Sequence, residues 1–261
     1  MVQTHTTQAT VTVAAQPATV YAFLTDPQRF QRWMGPGSSV GGQPGAAVTL
    51  RYPNGDVASG QVVDAKPNER VTFTYGYESG ARLAPGSTRI TFELRDHPNG
   101  TTVGLTHDGL PSEEEARNHL MGWRHYLGML GVAVAEEELG GLARSAAETY
   151  VQAWNEENPG ARAGLIERCW DANATLRDAM SYVEGRDHLN AHISAAQMFA
   201  PGARLEQTGN VDHCQGAVRF GWRIQVGGGT MTTGACFGQL SLAGRFISVV
   251  SFWDAGPPVL G

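Results

Sequence analysis

Thr101-Thr-Val-Gly-Leu-Thr-His107-Asp-Gly-Leu-Pro111-Ser-Glu-Glu-Glu115 decides how the first half of this chain folds. Val103, Leu105 and His107 alternate as a strand, Asp108-Gly109 reads as a turn, and Pro111-Ser112 restarts the chain as a helix. Ser112 is placed to cap that helix, and Glu113, Glu114 and Glu115 set negative charge against the positive end of its dipole. Ala116, Leu120, Trp123, Leu127, Leu130 and Val134 then recur at steps of three and four as far as Leu139. One apolar stripe of this kind must lie along another surface.

That surface comes before it. Val11 and Val13 form a short strand, and Pro17 opens a helix carrying Val20, Phe23 and Leu24 that Asp26-Pro27 stops. A second short helical piece holds Phe30 and Trp33. Strands then follow closely. Val48, Leu50 and Tyr52 alternate, Pro53-Asn54-Gly55 turns, and Gln61–Asp64 pairs next. Val71, Phe73, Tyr75 and Tyr77 alternate, and after them Ile90, Phe92 and Leu94. An antiparallel meander closed by one long helix is a curved sheet gripping that helix, with an apolar cavity between them.

Composition narrows the function. The 261 residues suffice for two domains, and 41% apolar with 17% charged residues supports real cores. Acids outnumber bases 25 to 19, and neither half is basic, so a nucleic-acid footprint is missing. Cys169, Cys214 and Cys236 are dispersed without CxxC spacing, which points to reduced thiols. Met1–Thr10 is polar with no apolar signal core, and no apolar run is long enough for a bilayer. A soluble, cytoplasmic chain without membrane contact is expected. The loop Gly35–Gly45 lacks the third glycine, the Lys-Ser/Thr pair and the helix of a phosphate cradle. His188 and His192 lie one helical turn apart without a third ligand, so no metal and no cofactor is expected.

Glu136-Glu-Glu-Leu-Gly140-Gly141-Leu reads as a short link to the second half. Helices follow from Leu142, around Leu165–Trp170 and over Arg186–Phe199, with a strand at Ala174–Asp178. Four strand-like runs finish the chain: Arg204–Gly209, Ala217–Val226, Thr230–Leu242 and Arg245–Trp253, with Gly227-Gly228-Gly229 as a hairpin turn. Helices ahead of a long antiparallel sheet predict an α+β cone whose mouth the helices cap.

Two resemblances emerge. Pro17–Pro27 with Trp33, Pro67–Phe73, Thr101–Pro111 and His119–Trp123 resemble the Hsp90-ATPase-activator-like branch of the START/Bet v 1 helix-grip (SRPBCC) superfamily, over residues 8–139. Tyr150–Asn155, Ala174–Asp178 with Gly185, Val211–His213 with Val218–Trp222, and Gly244–Phe252 resemble the SnoaL-like branch of the nuclear-transport-factor-2 superfamily, over residues 143–254. Together they imply an α+β protein of two cavity-forming domains that binds a small apolar molecule. The second resemblance implies isomerase- or cyclase-type acid/base chemistry, with Tyr150 as oxyanion donor and Asp178 as general base; His213 and His192 are alternative bases. It also implies a second oxyanion acid near Thr233 or Gly234, where the sequence has none. Trp154, Trp170, His192 and Trp222 in this half, and Trp33, Tyr75, His107, His119 and Trp123 in the first, are the candidate ligand-contacting residues. Arg219 and Arg223 fall on the strand face opposite Trp222. Domains of the second type pair through the outer sheet face, so a homodimer is expected. The alternative is a protein that acts on a chaperone partner, with the second domain as its dimerisation module.

Overall fold

A computed structural model describes residues 4–80 and 82–254; Met1–Gln3 of the polar N-terminal stretch, Ala81 and residues 255–261 lie outside them. The chain divides into two compact units, residues 1–138 and 139–261.

In the first unit, β1 (His5–Val13) leads into α1 (Pro17–Thr25) and α2 (Pro27–Met34). Asp26 ends α1 and caps α2, its carboxylate accepting from the Gln28 and Arg29 backbone N–H groups at 3.0 and 2.8 Å. Strands β2 (Ser39–Val40), β3 (Ala47–Arg51), β4 (Val57–Lys66), β5 (Arg70–Tyr77), β6 (Thr88–His97) and β7 (Gly100–Leu110) complete the sheet. Its order is β1-β7-β6-β5-β4-β3-β2, all pairs antiparallel. The turn expected at Asp108-Gly109 is absent. Both flanking strands hold β7 there, with Asp108 opposite Arg89 and Leu110 opposite His5, so the strand runs on to Leu110.

The helix α3 then starts at Glu113, with Ser112 Oγ accepting from the Glu115 N–H at 3.1 Å. Its stripe of Trp123, Leu127, Leu130 and Val134 is buried with Phe73, Tyr75, Phe92, Val103 and Leu105 of the sheet in one core. Each large side chain buried there is worth roughly 1.5–3 kcal/mol against leaving it in water. Nor does the link expected after Leu139 exist: α3 is a single helix from Glu113 to Asn155. Gly140 and Gly141 each cost a helix about 1 kcal/mol relative to alanine. Leu139 and Ala143, fully buried on either side of them, outweigh that cost.

The second unit continues with α4 (Pro159–Cys169), β8 (Trp170–Arg177), β9 (Tyr182–Glu184) and α5 (Arg186–Phe199), then β10 (Arg204–Cys214), β11 (Ala217–Val226), β12 (Gly229–Leu240) and β13 (Phe246–Trp253). β9 lies in a stretch that the sequence presents as loop. The sheet order is β10-β11-β12-β13-β8-β9, antiparallel except where β13 lies parallel to β8. Gly227 and Gly228, both at positive φ (58° and 84°), make the two-residue turn between β11 and β12. Val218, Phe220 and Trp222 point into a core shared with Tyr150, Trp170, Leu189 and Phe246. The fold class is α+β throughout, an antiparallel helix-grip sheet followed by a second sheet with helices.

Candidate functional site

The first unit holds a cavity of about 350 Å³. Tyr52 at the end of β3, Tyr75 and Tyr77 on β5, Arg82 in the β5–β6 loop, and Asn118, His119, Gly122, Trp123 and Tyr126 on α3 line it. The α3 residues share one helix face by their spacing of three and four, and the β5 pair shares a sheet face by its spacing of two. Tyr75, His119 and Trp123 of the candidate residues come together on its wall, with His107 directly behind.

His107 is fully buried and bonded at both ring nitrogens. Trp123 Nε1 donates to its Nδ1 at 3.1 Å, so Nε2 carries the proton and meets Thr88 Oγ1 at 2.8 Å. Thr88 in turn donates to the Tyr75 carbonyl at 2.8 Å. Burial, with His119 beside it, pushes the His107 pKa down to about 3 and keeps the ring neutral. His119 packs edge-on against His107 with centroids 4.9 Å apart, and burial lowers its pKa too. The Tyr52 and Tyr75 hydroxyls bond each other at 3.0 Å, and desolvation drives both phenols above their usual range. At the rim, Arg82 makes a two-pronged pair with Glu115 at 3.0 and 3.1 Å and lies over the Tyr77 ring at 5.4 Å. The result is an aromatic cup of rings set edge-on and tilted to one another, with the Arg82–Glu115 pair beside it.

Trp33 lies elsewhere. It is buried against Phe30 and Phe92, and its indole donates to the Phe23 carbonyl at 3.0 Å. Tyr52, Tyr77 and Tyr126 are cup residues that sequence reasoning missed. Tyr126 follows Trp123 by three positions and His119 by seven, and Tyr77 follows Tyr75 by two, so period alone could have found both. Tyr52 ends the alternating run Val48, Leu50, Tyr52 just past β3, and period alone cannot tie it to residues on β5 and α3.

In the second unit Tyr150 is buried and stacked on Trp170 (5.8 Å, 19°), with Phe220, Phe246 and Trp154 edge-on around it. Burial above all raises its pKa, with a small contribution from the Asp178 charge. Asp178 is half-buried, and its carboxylate accepts from the Met180 N–H at 2.8 Å in an Asx turn. His213 accepts at Nε2 from the Gly216 N–H at 3.0 Å, at the β10–β11 turn. His192 stands edge-on to Trp154 at 5.7 Å. Trp222 donates to Ser251 Oγ at 3.1 Å and meets Trp253 edge-on at 5.3 Å. The buried indole nitrogens of Trp170 and Trp253 make no hydrogen bond among the described residues, which leaves two spare donors here, while the Trp154 indole lies against the Tyr150 hydroxyl. Arg219 and Arg223 are exposed and paired with Asp212 and Glu206.

Gly234 explains the missing second acid. It lies opposite Trp222, and a Cβ there would come within 2.4 Å of the indole and 2.1 Å of the Phe252 carbonyl. Trp222 has taken the space that an acidic side chain would need.

Cys169 and Cys236 are free and buried, their thiols pushed up to about 12, while Cys214 is exposed. No group of three metal-ligating side chains and no helix able to cross a membrane occurs among the described residues.

Residues 14–135 match the family model for "Activator of Hsp90 ATPase homolog 1-like protein". No curated protein matches the chain. Among solved structures, a putative isomerase of the SnoaL-like family from Agrobacterium tumefaciens is 32% identical over 44% of this chain and 99% of its own, with a TM-score of 0.43. An AHSA1-like protein from Rhizobium etli is 31% identical over 51% of this chain and 82% of its own (TM-score 0.41). The Aha1 dimer from Colwellia psychrerythraea is 21% identical over 49% and 93% (TM-score 0.44). This is a protein of two α+β units. It joins a helix-grip domain of the Hsp90-activator-like family to a SnoaL-like domain.

Proposed function

We propose that the chain is a small-molecule-binding protein whose ligand is a flat, largely apolar compound seated in the cup of the first unit. The observation that carries this is the cavity itself, lined by Tyr75 and Tyr77 of the sheet together with His119, Trp123 and Tyr126 of the helix. Aromatic faces at this density bind planar ligands by area and by offset stacking.

The test uses the full chain with 2-methoxynaphthalene. At about a hundred times its dissociation constant the ligand stabilises the protein by roughly 2.7 kcal/mol, read as a rise in Tm. Gly122→Leu is the matching variant. Gly122 lines the cavity, and a Cβ there meets nothing within 4 Å, so a side chain can be added at this position to occupy the ligand's space. The variant should keep or gain helix stability, by up to about 1 kcal/mol, while losing the ligand-induced shift. No shift in the parent chain, and no change in its Trp123 or tyrosine resonances, would refute the proposal.

For the second unit the reading is binding rather than turnover. One carboxylate oxygen of Asp178 is held in an Asx turn and Gly234 offers no second acid, so Tyr150 has only part of the set of partners that enolisation uses. The spare indole donors favour a ligand that accepts hydrogen bonds.

Phe237 and Phe252, both exposed and edge-on at 5.8 Å, lie on the sheet face opposite the buried Phe220 and Trp222. An apolar pair in that position supports pairing of two copies through this sheet. Light scattering at micromolar concentration should give twice the chain mass, and Phe237→Glu should return it to one. The match to the Hsp90-activator-like family supports a second reading, that the first unit acts on a chaperone partner.

A further inference from the structure

His119 carries the one imidazole nitrogen of the cup that the protein leaves unused. The residue is 8% exposed, lines the cavity, and its Nε2 is buried without a hydrogen-bond partner among the described residues. Its other nitrogen is committed. Nδ1 lies 2.8 Å from the Glu115 backbone carbonyl, which can only accept, so Nδ1 must hold the proton. The Glu115 carboxylate, 3.4 Å from the same nitrogen and anchored by Arg82, reinforces that tautomer. A neutral ring in this state presents a bare lone pair at Nε2.

None of the rings packed on His119, which are Tyr75, Tyr77 and His107, hydrogen-bonds its Nε2. His107 directs its N–H to Thr88, Trp123 directs its own to His107, and the Tyr75 hydroxyl is paired with Tyr52. Leaving a buried acceptor unmet costs about 1–3 kcal/mol, which a ligand donor would recover. The surrounding walls are aromatic rings, which receive another ring edge-on or by offset stacking, so the donor is placed on an aromatic molecule. A charged donor is disfavoured, because burial, which lowers the His119 pKa, opposes positive charge at this nitrogen.

We infer that the cup selects a planar aromatic ligand bearing a neutral hydroxyl, a phenol, and that His119 Nε2 recognises it by accepting that O–H. This rests on the ligand-binding reading above and sharpens it to a chemical class.

The experiment compares 2-naphthol with 2-methoxynaphthalene on the full chain at pH 7.5. The two have the same ring system, but the ether has no hydrogen to donate. The phenol should bind about 10-fold more tightly, the factor that one net hydrogen bond contributes. His119→Phe should bring the two affinities together by weakening naphthol alone. In the parent chain the His119 Nε2 ¹⁵N resonance should move with naphthol and stay with the ether, a readout independent of how well the variant folds. Equal affinity for both compounds, with Nε2 unmoved by either, overturns the phenol assignment and leaves the binding reading standing. Failure of both compounds to bind overturns the two together.

Discussion

Arg162→Met should destabilise the second unit by about 3–5 kcal/mol, although no acidic side chain pairs with this arginine. Arg162 is completely buried, and its guanidinium donates to six acceptors: the Glu156, Glu157 and Asn190 carbonyls, Asn190 Oδ1, Ser194 Oγ and Gln197 Oε1, at 2.6–3.2 Å. Two of these carbonyls follow the C-terminal end of α3, where a helix leaves its last carbonyls unpaired. The others belong to α5. One planar fork on α4 thus joins the end of α3 to α5, and its charge is met by carbonyl dipoles. Methionine fills similar volume but satisfies none of these acceptors. Lysine has three donors at a single point, so Arg162→Lys should recover only part of the loss. Hydrogen exchange of the α4 and α5 amides on the full chain reads the effect, as a fall in protection of roughly 10²–10³-fold at 25 °C, the equivalent of about 3–4 kcal/mol. Arg219→Met, which removes only an exposed pair, serves as the control and should change stability by under about 1 kcal/mol. Unchanged protection in Arg162→Met would mean that water replaces the guanidinium without cost.

The second large effect is a pH dependence located at His107. In the unfolded chain its imidazole titrates near 6.5, whereas in the fold it stays neutral down to about 3. Between those values the unfolded state binds a proton that the native state refuses, so native stability rises with pH across the window. The contribution is complete above about pH 6.5 and is lost as pH falls toward 3. From pH 7 to 4 this one group should remove about 3 kcal/mol from the first unit. The structural cause is specific: Nδ1 accepts from the Trp123 indole, and a protonated ring would set two donors face to face. His107→Gln can keep an acceptor toward Trp123 and a donor toward Thr88 without titrating. It should be less stable than the parent at pH 7, and the difference should shrink toward pH 4. Exchange protection of β7 and of the Trp123 turn, followed from pH 7 to 4, is the measurement. Parallel losses in the two proteins would place the acid sensitivity elsewhere.

These sites show where sequence is informative. Period two in Val71–Tyr77 and steps of three and four from Ala116 to Val134 report directly which faces are buried, so sheet, helix and α+β class could be read in advance. Gly140-Gly141 misled because glycine announces a local cost, whereas the burial of Leu139 and Ala143 that overrides it is tertiary. The cup was half legible. His119 and Trp123 advertise themselves on a helix face, but Tyr52 joins them only after three strands have paired in register. Trp33 and Trp123 look alike in sequence; one donates to a backbone carbonyl in the core and the other to a histidine at a cavity wall. Arg162 gave no signal at all. Its partners are backbone carbonyls and neutral side chains, so no oppositely charged residue marks it.

The parallel pairing of β13 with β8 sets a timetable for biosynthesis. Trp170 begins β8, and the residue it pairs with, Phe246, lies 76 positions later. A ribosome adding 5–20 residues per second delivers that partner roughly 4–15 seconds afterwards. During the interval β8 has only the three-residue β9 at its side, and Tyr150 lacks the Phe246 ring that later packs 5.9 Å from it. The nascent second unit therefore spends seconds with an open strand edge and an incomplete aromatic core, conditions in which chains stick to one another. The first unit carries the same kind of delay: β1 emerges first and waits for β7, whose Leu105 pairs with Ala9 from 96 positions earlier. Both halves thus hold an unpaired strand for seconds during synthesis, and the yield of each should depend on how fast the message is read.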